Sequence, residues 1–436
     1  MANAFDYKQA AALPVGSVLQ SPINIETLTG GQWVALDGRD CNRGDYPELS
    51  PYFPAGVFTS TARTLSESPG AAAIASDDTT FFTSAAAATN VKVQYSTNGS
   101  TWATVATTPW VGGGSASLSS VISAGSRTIM VGGAGTTTPQ VIAKGADASV
   151  AGNYTATILG TITTLTQGLA YGSTANAGAG RTVLCVNGSL PTATGLFYMD
   201  STGGATTTWN ACSGGSTRTR LGVVWTGQKF IVICSDNTGQ AYNTIQTSLD
   251  GATWVDGVIP QAVSGASFIP SIICSDGNGT VVISLYNGAA HWFVVSKDHG
   301  VTWRKVNTPL GMEISVTGGV TKVLTPYLSF VNRKFIATSG NVDIGNSAIS
   351  SDGLSWQVEP LENGRGAASA NGVYAMAYKA GTYVGVATGT TDALSLTEDM
   401  SKFRMPISDS GSQASNSANY GDGGRSSHPL YMKARS

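Results

Sequence analysis

Residue types that can do chemistry are thinly spread in this sequence. Its three histidines, His291, His299 and His428, lie far apart, so they build neither a Ser-His-Asp relay nor a histidine metal cluster. The five cysteines, Cys41, Cys185, Cys212, Cys234 and Cys274, are odd in number and fit neither zinc spacing nor a CxxC pair. Cys185, Cys234 and Cys274 fall within apolar runs and read as free, buried thiols. Paired-carboxylate hydrolysis needs two acids facing one bond. Asp45, Asp250, Asp276 and Asp352 sit instead in turn contexts, where a carboxylate caps backbone N–H groups; Glu313, Glu359 and Glu362 are left in loops. The many Gly-x-Gly matches follow from composition, 54 glycines in 436 residues, and no phosphate-cradling fingerprint stands out. No catalytic, cofactor-binding or metal-ligating residue is therefore assigned, and no cofactor is expected. What remains is aromatic. Trp110, Trp225 and Trp292 are the candidate ligand contacts, with Tyr198, Tyr242 and Tyr286 beside them, because flat rings stack on the apolar faces of sugars. On strands the same rings pack between sheets.

The elements that must position these residues are announced by a repeated stretch. Ser296-Lys297-Asp298-His299-Gly300-Val301-Thr302-Trp303 reads S-x-D-x-G-x-T-W. Shorter forms run Ser248–Trp254 and Ser351–Trp356, and Ser96–Trp102 is a copy with Asn98 in place of Asp. Asp or Asn before Gly suits the left-handed backbone of a tight hairpin turn and can accept nearby backbone N–H groups. The Trp then opens the return strand and buries a large ring between neighbouring sheets. The aromatic anchors Trp102, Trp209, Trp254, Trp303, Trp356 and Phe403 are 107, 45, 49, 53 and 47 residues apart. The first interval spans two periods, with a decayed copy expected near Gly152-Asn153-Tyr154.

Between anchors the chain carries doublets of short apolar strands, such as Gly222–Ile233, Ser271–Ile283, Tyr327–Ala337 and Ala375–Val386, with further pairs at Ala71–Thr83, Ser119–Gly132 and Gly168–Val186. Only 11% of residues are charged, and helix formers are sparse. Short strands, many turns and a period near 50 define an all-β protein, and four strands per period define a propeller. Seven such units are expected over residues 66–403. Residues 1–65 and 404–436 differ in composition. The early segment holds too little apolar material to fold by itself.

Two resemblances attach to these motifs. The S-x-D-x-G-x-T-W stretch resembles the Asp-box (BNR) repeat of sialidase-type β-propellers, which implies a structural role at the blade edge, away from any active centre. That role falls to Asn98, Trp102, Trp209, Asp250, Trp254, Asp298, Trp303, Asp352 and Trp356. At the ends, Trp33-Val34-Ala35-Leu36-Asp37-Gly38-Arg39 followed by Tyr46-Pro47-Glu48-Leu49, with Phe403-Arg404-Met405-Pro406 and Tyr431-Met432-Lys433-Ala434, is similar to the two halves of phage tail-collar-type domains. The resemblance implies a small collar-like module made from both ends, with Trp33, Asp37, Gly38, Arg39, Tyr46, Phe403, Pro406, Tyr431 and Lys433 as its residues. The propeller lies between the halves, where the collar family has a far shorter segment. Phe403–Pro406 also resembles the F-R-I-P motif of sialidases, but there the motif precedes the first box, and no arginine triplet with a Tyr–Glu pair accompanies it here.

The expectation is thus a seven-bladed propeller with a collar-like module, acting as a virion tail protein, fibre or tip, in host adsorption. It would bind rather than turn over substrate. A purely structural tail ring or nozzle and a polysaccharide-degrading or sialidase-like enzyme are the alternatives. Partners would be other tail proteins, host surface glycan and further copies of the chain, three or six by resemblance. A net charge of −2 without a basic stripe speaks against nucleic acid. No apolar run is long enough to span a bilayer. The first residues lack the pattern of a signal peptide, in keeping with synthesis in a host cytoplasm and residence in the virion.

Overall fold

The computed structural model describes residues 18–20, 33–35, 39–53, 56–66, 73–77, 79–86, 91–105, 116–124, 127–134, 138–144, 154–158, 166–173, 180–186, 195–200, 209–215, 218–235, 244–260, 269–286, 291–307, 315–317, 320–322, 326–339, 346–360, 375–386, 392–404 and 430–433. Apart from a single 3-10 turn at Ser50–Tyr52, every regular element among them is a β-strand. The chain divides into two compact units, Met1–Thr59 with Glu398–Ser436, and Ser60–Thr397.

In the first unit, β1 (Val18–Gln20) and β2 (Trp33–Ala35) flank the late segment Leu430–Lys433, and β3 (Asp40–Asn42) pairs with Lys402–Arg404. The pairings are antiparallel, with Trp33 opposite Lys433, Ala35 opposite Tyr431 and Cys41 opposite Phe403. Val34, Cys41, Leu49, Phe53 and Phe403 are buried together, with Tyr46 packed against them.

The second unit is built mainly of four-stranded antiparallel meanders. After β4 (Val57–Thr64) come β5 (Ile74–Ser76), β6 (Phe81–Ala86), β7 (Val91–Ser96) and β8 (Ala103–Thr104). The next sheet is β9 (Ala116–Ala124), β10 (Arg127–Ala134), β11 (Thr138–Lys144) and β12 (Tyr154–Ile158). A third is β13 (Thr166–Gly172), β14 (Arg181–Val186), β15 (Leu196–Asp200) and β16 (Asn210–Ala211). The fourth contains β17 (Ser213–Gly214), β18 (Thr219–Trp225), β19 (Phe230–Ser235), β20 (Thr244–Ser248) and β21 (Thr253–Val258). The fifth is β22 (Ile269–Ser275), β23 (Val281–Tyr286), β24 (His291–Ser296) and β25 (Arg304–Asn307). A hairpin of β26 (Ser315–Thr317) and β27 (Val320–Lys322) precedes the sixth, β28 (Pro326–Val331), β29 (Lys334–Ser339), β30 (Asn346–Ser350) and β31 (Gln357–Pro360). The last has β32 (Ala375–Lys379), β33 (Thr382–Val386) and β34 (Asp392–Asp399), with β4 as its fourth strand; β35 (Lys402–Arg404) and β36 (Leu430–Lys433) belong to the first unit.

The first strands of successive sheets touch in a closed cycle, β5, β9, β13, β18, β22, β28, β32 and back to β5. This is a β-propeller. The cycle closes through β4, which precedes the first sheet in sequence yet hydrogen-bonds in the last; Arg63 Nε donates to Ser395 Oγ at 2.8 Å. Closure matters because each core is shared by two sheets. Val183, Cys185 and Leu196 of the third pack on Val223, Phe230, Val232 and Trp254 of the fourth. Val282 and Phe293 of the fifth pack on Phe335 and Ala348 of the sixth. Second strands are buried on both faces, as in β14 and the apolar run of β19. Burying each such side chain is worth about 1.5–3 kcal/mol, so a sheet without a neighbour loses half its core.

Two expectations need correction. Among the described residues six sheets have four strands, where seven such blades were expected; one further sheet has five. Its extra strand, β17, runs parallel to β21, with Ser213 opposite Thr253 and Gly214 opposite Trp254. Two residues carry no period, so the sequence pattern could not announce it. Phe403, expected to anchor a box, instead stacks on Phe53 at 5.1 Å in the first unit. Tyr154 is the first residue of β12, at the margin of its sheet.

Candidate functional site

Because the sheets are antiparallel meanders, the turn between first and second strands and the turn between third and fourth lie at one edge of each sheet. The box stretches are the second kind of turn. In each copy the leading serine hydroxyl and the Asp or Asn side chain organise the loop. Ser248 Oγ donates to Asp250 Oδ1 at 2.9 Å and accepts the Gly251 N–H at 2.8 Å; Asp250 Oδ1 also accepts the N–H groups of Ala252 and Thr253, both at 2.8 Å. Asp352 repeats this with Ser350, Leu354 and Ser355, and Asn98 with Ser96, Ser100 and Thr101. Asp298 adds a bond from Thr302 Oγ1 to Oδ2 at 2.5 Å.

Desolvation works against the Asp298 carboxylate. The Thr302 hydroxyl and N–H, the Ser296 hydroxyl and the Val301 N–H overcome it and pull the pKa down to about 2. Asp250 and Asp352 are also lowered: desolvation again opposes, and backbone N–H bonds from Thr253 and Ala252, or Ser355 and Leu354, outweigh it.

Each box Trp packs into the cleft toward the preceding sheet. Trp254 joins the core of the third sheet and Trp356 lies 4.8 Å from Phe293 of the fifth. Trp303 packs on the fourth, Trp102 beside Val384 of the last, and Trp209 near Ile122 of the second. The indoles of Trp254 and Trp356 donate to Gly251 O at 3.2 Å and Gly353 O at 2.9 Å. Those of Trp102 and Trp209 are buried with no acceptor among the described residues.

Sequence reasoning missed a set of clasps on this same edge. Three cations, each from the sheet before, donate to backbone carbonyls in the box turn of the next. Arg181 bonds Asp250 O, Lys297 bonds Asp352 O at 3.1 Å, and Lys379 bonds Thr97 O. Arg181 is also paired with Asp200 at 2.6 Å and lies over the Tyr198 ring at 4.3 Å, so that tyrosine face is occupied. Between the fourth and fifth sheets the polarity reverses: Thr226 O accepts the Gly279 N–H at 2.8 Å and lies 2.9 Å from His299 Nδ1. No fixed spacing links these partners, so no pattern in the sequence could flag them.

The opposite edge carries the connections between second and third strands and those that pass to the next sheet. The candidate ligand contacts divide between the edges. Trp225 sits beside the 226–229 turn, 4.6 Å from Phe230 and so close to Gly172 that a Cβ there would fall 2.1 Å from its ring; its role is packing. Trp292 lies near the start of β24 at the long-connection edge, half-buried on the fourth and fifth sheets, with Lys305 Nζ 3.4 Å from its ring centroid. Trp110 and Tyr242 lie outside the described residues, and Tyr286 ends β23.

In the first unit, Trp33 and Phe403 are fully buried, Tyr46 is half-buried 6.4 Å from Phe403, and Arg39 is exposed. Tyr431 and Lys433 are placed by strand register opposite Ala35 and Trp33. Asp37, Gly38 and Pro406 lie outside the described residues. The residue that sequence reasoning overlooked is Arg43. Its guanidinium donates to Met400 O at 3.0 Å, Ser50 O at 2.8 Å and Phe53 O at 2.5 Å, tying early and late segments together.

The thiols are free and buried. Burial pushes Cys212, Cys234 and Cys274 up to about 12, and Cys185 well above the usual thiol range, so these four stay protonated at neutral pH. Arg220 is buried beside them, donating to Gln246 Oε1 at 3.1 Å, and Gln246 in turn donates to Asp256 at 2.8 Å. No group of three His, Cys, Asp or Glu among the described residues is placed to hold a metal ion. No helix among them is long and apolar enough to cross a membrane.

No protein-family profile and no curated protein matches this chain. Solved structures do share its fold. YCF48 bound to D1 peptide is 13% identical with a TM-score of 0.51, covering 80% of this chain and 98% of that one. The GH74 xyloglucanase from Xanthomonas campestris is 12% identical with a TM-score of 0.51, covering 86% of this chain and 56% of that one. At such identity the likeness is one of fold: the class is the β-propeller, which is shared here by a peptide-bound protein and by an enzyme.

Proposed function

We propose that this chain is a bacteriophage tail protein, of the fibre or tip, acting in host adsorption. In this reading the five-stranded sheet is a seventh blade with β17 added, and the box turns are Asp-boxes. The first unit is a collar-like module that docks to another virion protein, while the propeller presents binding loops. The chain works by binding, as a homo-oligomer of three or six copies in the tail, after synthesis in the host cytoplasm.

The observation that carries the reading is the meeting of the two end motifs. Residues Trp33–Ala35 and Tyr431–Lys433, some four hundred positions apart, are adjacent strands. Phe403 is buried among Cys41, Leu49 and Phe53. Those are the stretches that resemble the two halves of a tail-collar domain, and the propeller occupies the interval between them.

The test is two-part. Mass spectrometry of purified virions should find the chain, and the purified protein should bind host cells or their extracted polysaccharide without shortening it. Virions lacking the chain would end the proposal. A second reading, a glycan-cleaving enzyme, is favoured by the fold shared with a xyloglucanase; release of shortened sugar in the same assay would replace the first reading with it. A structural ring or nozzle would be present in virions and bind no glycan.

A further inference from the structure

Two Asn-Gly pairs lie among the described residues: Asn98–Gly99 in the box turn between β7 and β8, and Asn278–Gly279 in the turn between β22 and β23. In both the Asn is exposed, the Gly is buried, and the Gly φ is positive, 72° and 100°. Their partners differ. The Gly279 N–H donates to the Thr226 carbonyl at 2.8 Å. The Gly99 N–H donates instead to a hydroxyl, Ser96 Oγ, at 2.8 Å, and that hydroxyl donates to Asn98 Oδ1 at 3.2 Å. The same Oδ1 accepts the N–H groups of Ser100 and Thr101, both at 2.9 Å. Ser96 is buried, so solvent does not compete for its hydroxyl. A backbone nitrogen, a relay hydroxyl and a doubly held amide oxygen thus surround one side-chain amide.

The geometry points to Asn98 as a self-modification site: the box turn promotes its deamidation through attack by the Gly99 nitrogen, and water completes the conversion to aspartate. Nothing in this depends on the adsorption reading. In the first step the Gly99 nitrogen bonds to Asn98 Cγ. Its proton passes to Ser96 Oγ while the Ser96 proton passes to Oδ1, a transfer open to a hydroxyl because it both accepts and donates. The N–H groups of Ser100 and Thr101 stabilise the charge that builds on Oδ1. The carbonyl then re-forms, the Oδ1 proton leaves with the amine, and the Cγ–Nδ2 bond breaks to release ammonia. A succinimide ring remains. One water opens it at Cγ, whose oxygen the same two N–H groups still hold, and the Gly99 nitrogen regains its proton. The balance is asparagine and water to aspartate and ammonia. Two sister turns already hold the product: the Gly251 and Gly353 N–H groups donate to Ser248 and Ser350 Oγ at 2.8 Å, beside Asp250 and Asp352. Asn278 lacks the relay. The Thr226 carbonyl has no proton to pass on, and no N–H among the described residues is bonded to the Asn278 side chain.

The test holds the full folded chain at mildly alkaline pH in heavy-oxygen water and reads the peptides that carry positions 98 and 278 by mass spectrometry. Position 98 should exchange its amide for a carboxylate at least about tenfold faster than position 278, the kind of gain a placed proton relay supplies. Aspartate should exceed isoaspartate, because the donors on Oδ1 direct water to Cγ. In urea the two positions should convert at similar rates, since both are then plain Asn-Gly. Ser96→Ala should slow conversion at 98 by about tenfold or more and leave 278 as it was. Conversion at 98 no faster than at 278 in the folded chain overturns the inference. So does a Ser96→Ala variant that converts faster than the parent, because the turn would then shield the amide. A product that is mainly isoaspartate, or a difference between the positions that persists in urea, overturns it as well. Should Ser96→Ala fail to fold, the two positions within the parent chain decide alone.

Discussion

The two edges of the propeller are made by opposite uses of the same residue types. At the short-turn edge Ser, Thr, Asp and Asn spend their polar atoms on their own backbone, and a cation from the neighbouring sheet fastens the turn from outside. At the other edge, where β24 begins, no box turn closes the strands, and Trp292 is met by Lys305 Nζ at 3.4 Å from its ring centroid. The difference teaches how a chain with 11% charged residues divides its labour. It places charge where charge fixes the geometry of a turn.

The sharpest way to break this comparison is at Trp254. Its side chain is 1% exposed and joins the third and fourth sheets. Trp254→Ala should cost about 3–5 kcal/mol, read as a shift in the denaturant midpoint. An equal loss from Val258→Ala, 67% exposed at the end of β21 on the other edge, would show that the short-turn edge is not the one that holds the ring.

The clasps come next. Arg181 is 8% exposed and serves Asp200, Tyr198 and the Asp250 carbonyl at once. Arg181→Ala should cost about 2–4 kcal/mol, because it leaves a partly buried carboxylate and a carbonyl without their donor. Lys297→Ala, whose bonds lie nearer solvent, should cost no more than about 1 kcal/mol. If the two variants proved equally stable, the clasps would be incidental contacts and not part of what fixes this edge.

Acid should distinguish the edges too. The carboxylates of Asp250, Asp298 and Asp352 have folded pKa values below their unfolded ones. Their contribution is complete above about pH 4 and fades as pH falls toward the value of about 2 held by Asp298. The melting temperature should therefore fall between about pH 4 and pH 2, and less steeply in Asp298→Asn than in the parent. Identical acid slopes for the two proteins would remove the box carboxylate from the account.

Much of the first edge was legible in the sequence, and the reason is local. A turn closed by Ser, Asp, Gly and Trp within eight residues writes its geometry into its own spacing, and the recurrence of that spacing announced a propeller. What could not be read was everything made by distant partners. The clasps join Arg181 to Asp250 and Lys379 to Thr97 across unrelated intervals. Strand β17 is too short to show an alternation. Phe403 fell at the period of the anchors by position, yet its environment is set by Cys41, Leu49 and Phe53 from the far end of the chain. Trp225 carried the residue type of a sugar platform, but the glycine that lets a neighbouring strand close over its ring, Gly172, stands 53 positions before it. Arg43 looked like an ordinary turn residue, because the carbonyls it gathers include one at Met400.

The finest comparison lies within the short-turn edge itself. Asn98 occupies the place taken by Asp in three other copies and accepts the same pair of backbone N–H groups, from Ser100 and Thr101, both at 2.9 Å. In the Asp copies the acceptor is charged, and charge-assisted bonds are stronger than neutral ones. Asn98→Asp preserves shape and removes only the amide, so it should stabilise the protein by about 0.5–1 kcal/mol at neutral pH. Asn98 is exposed, which keeps the gain small. Because the new carboxylate would be held in its charged form by the fold, the gain should persist at pH 7 and vanish as pH falls below the ordinary carboxylate range. Thermal melts of the two proteins at pH 7 and pH 2.5 read it directly. A gain that survived at the lower pH would come from something other than charge, and the assigned difference between the Asn and Asp turns would be wrong.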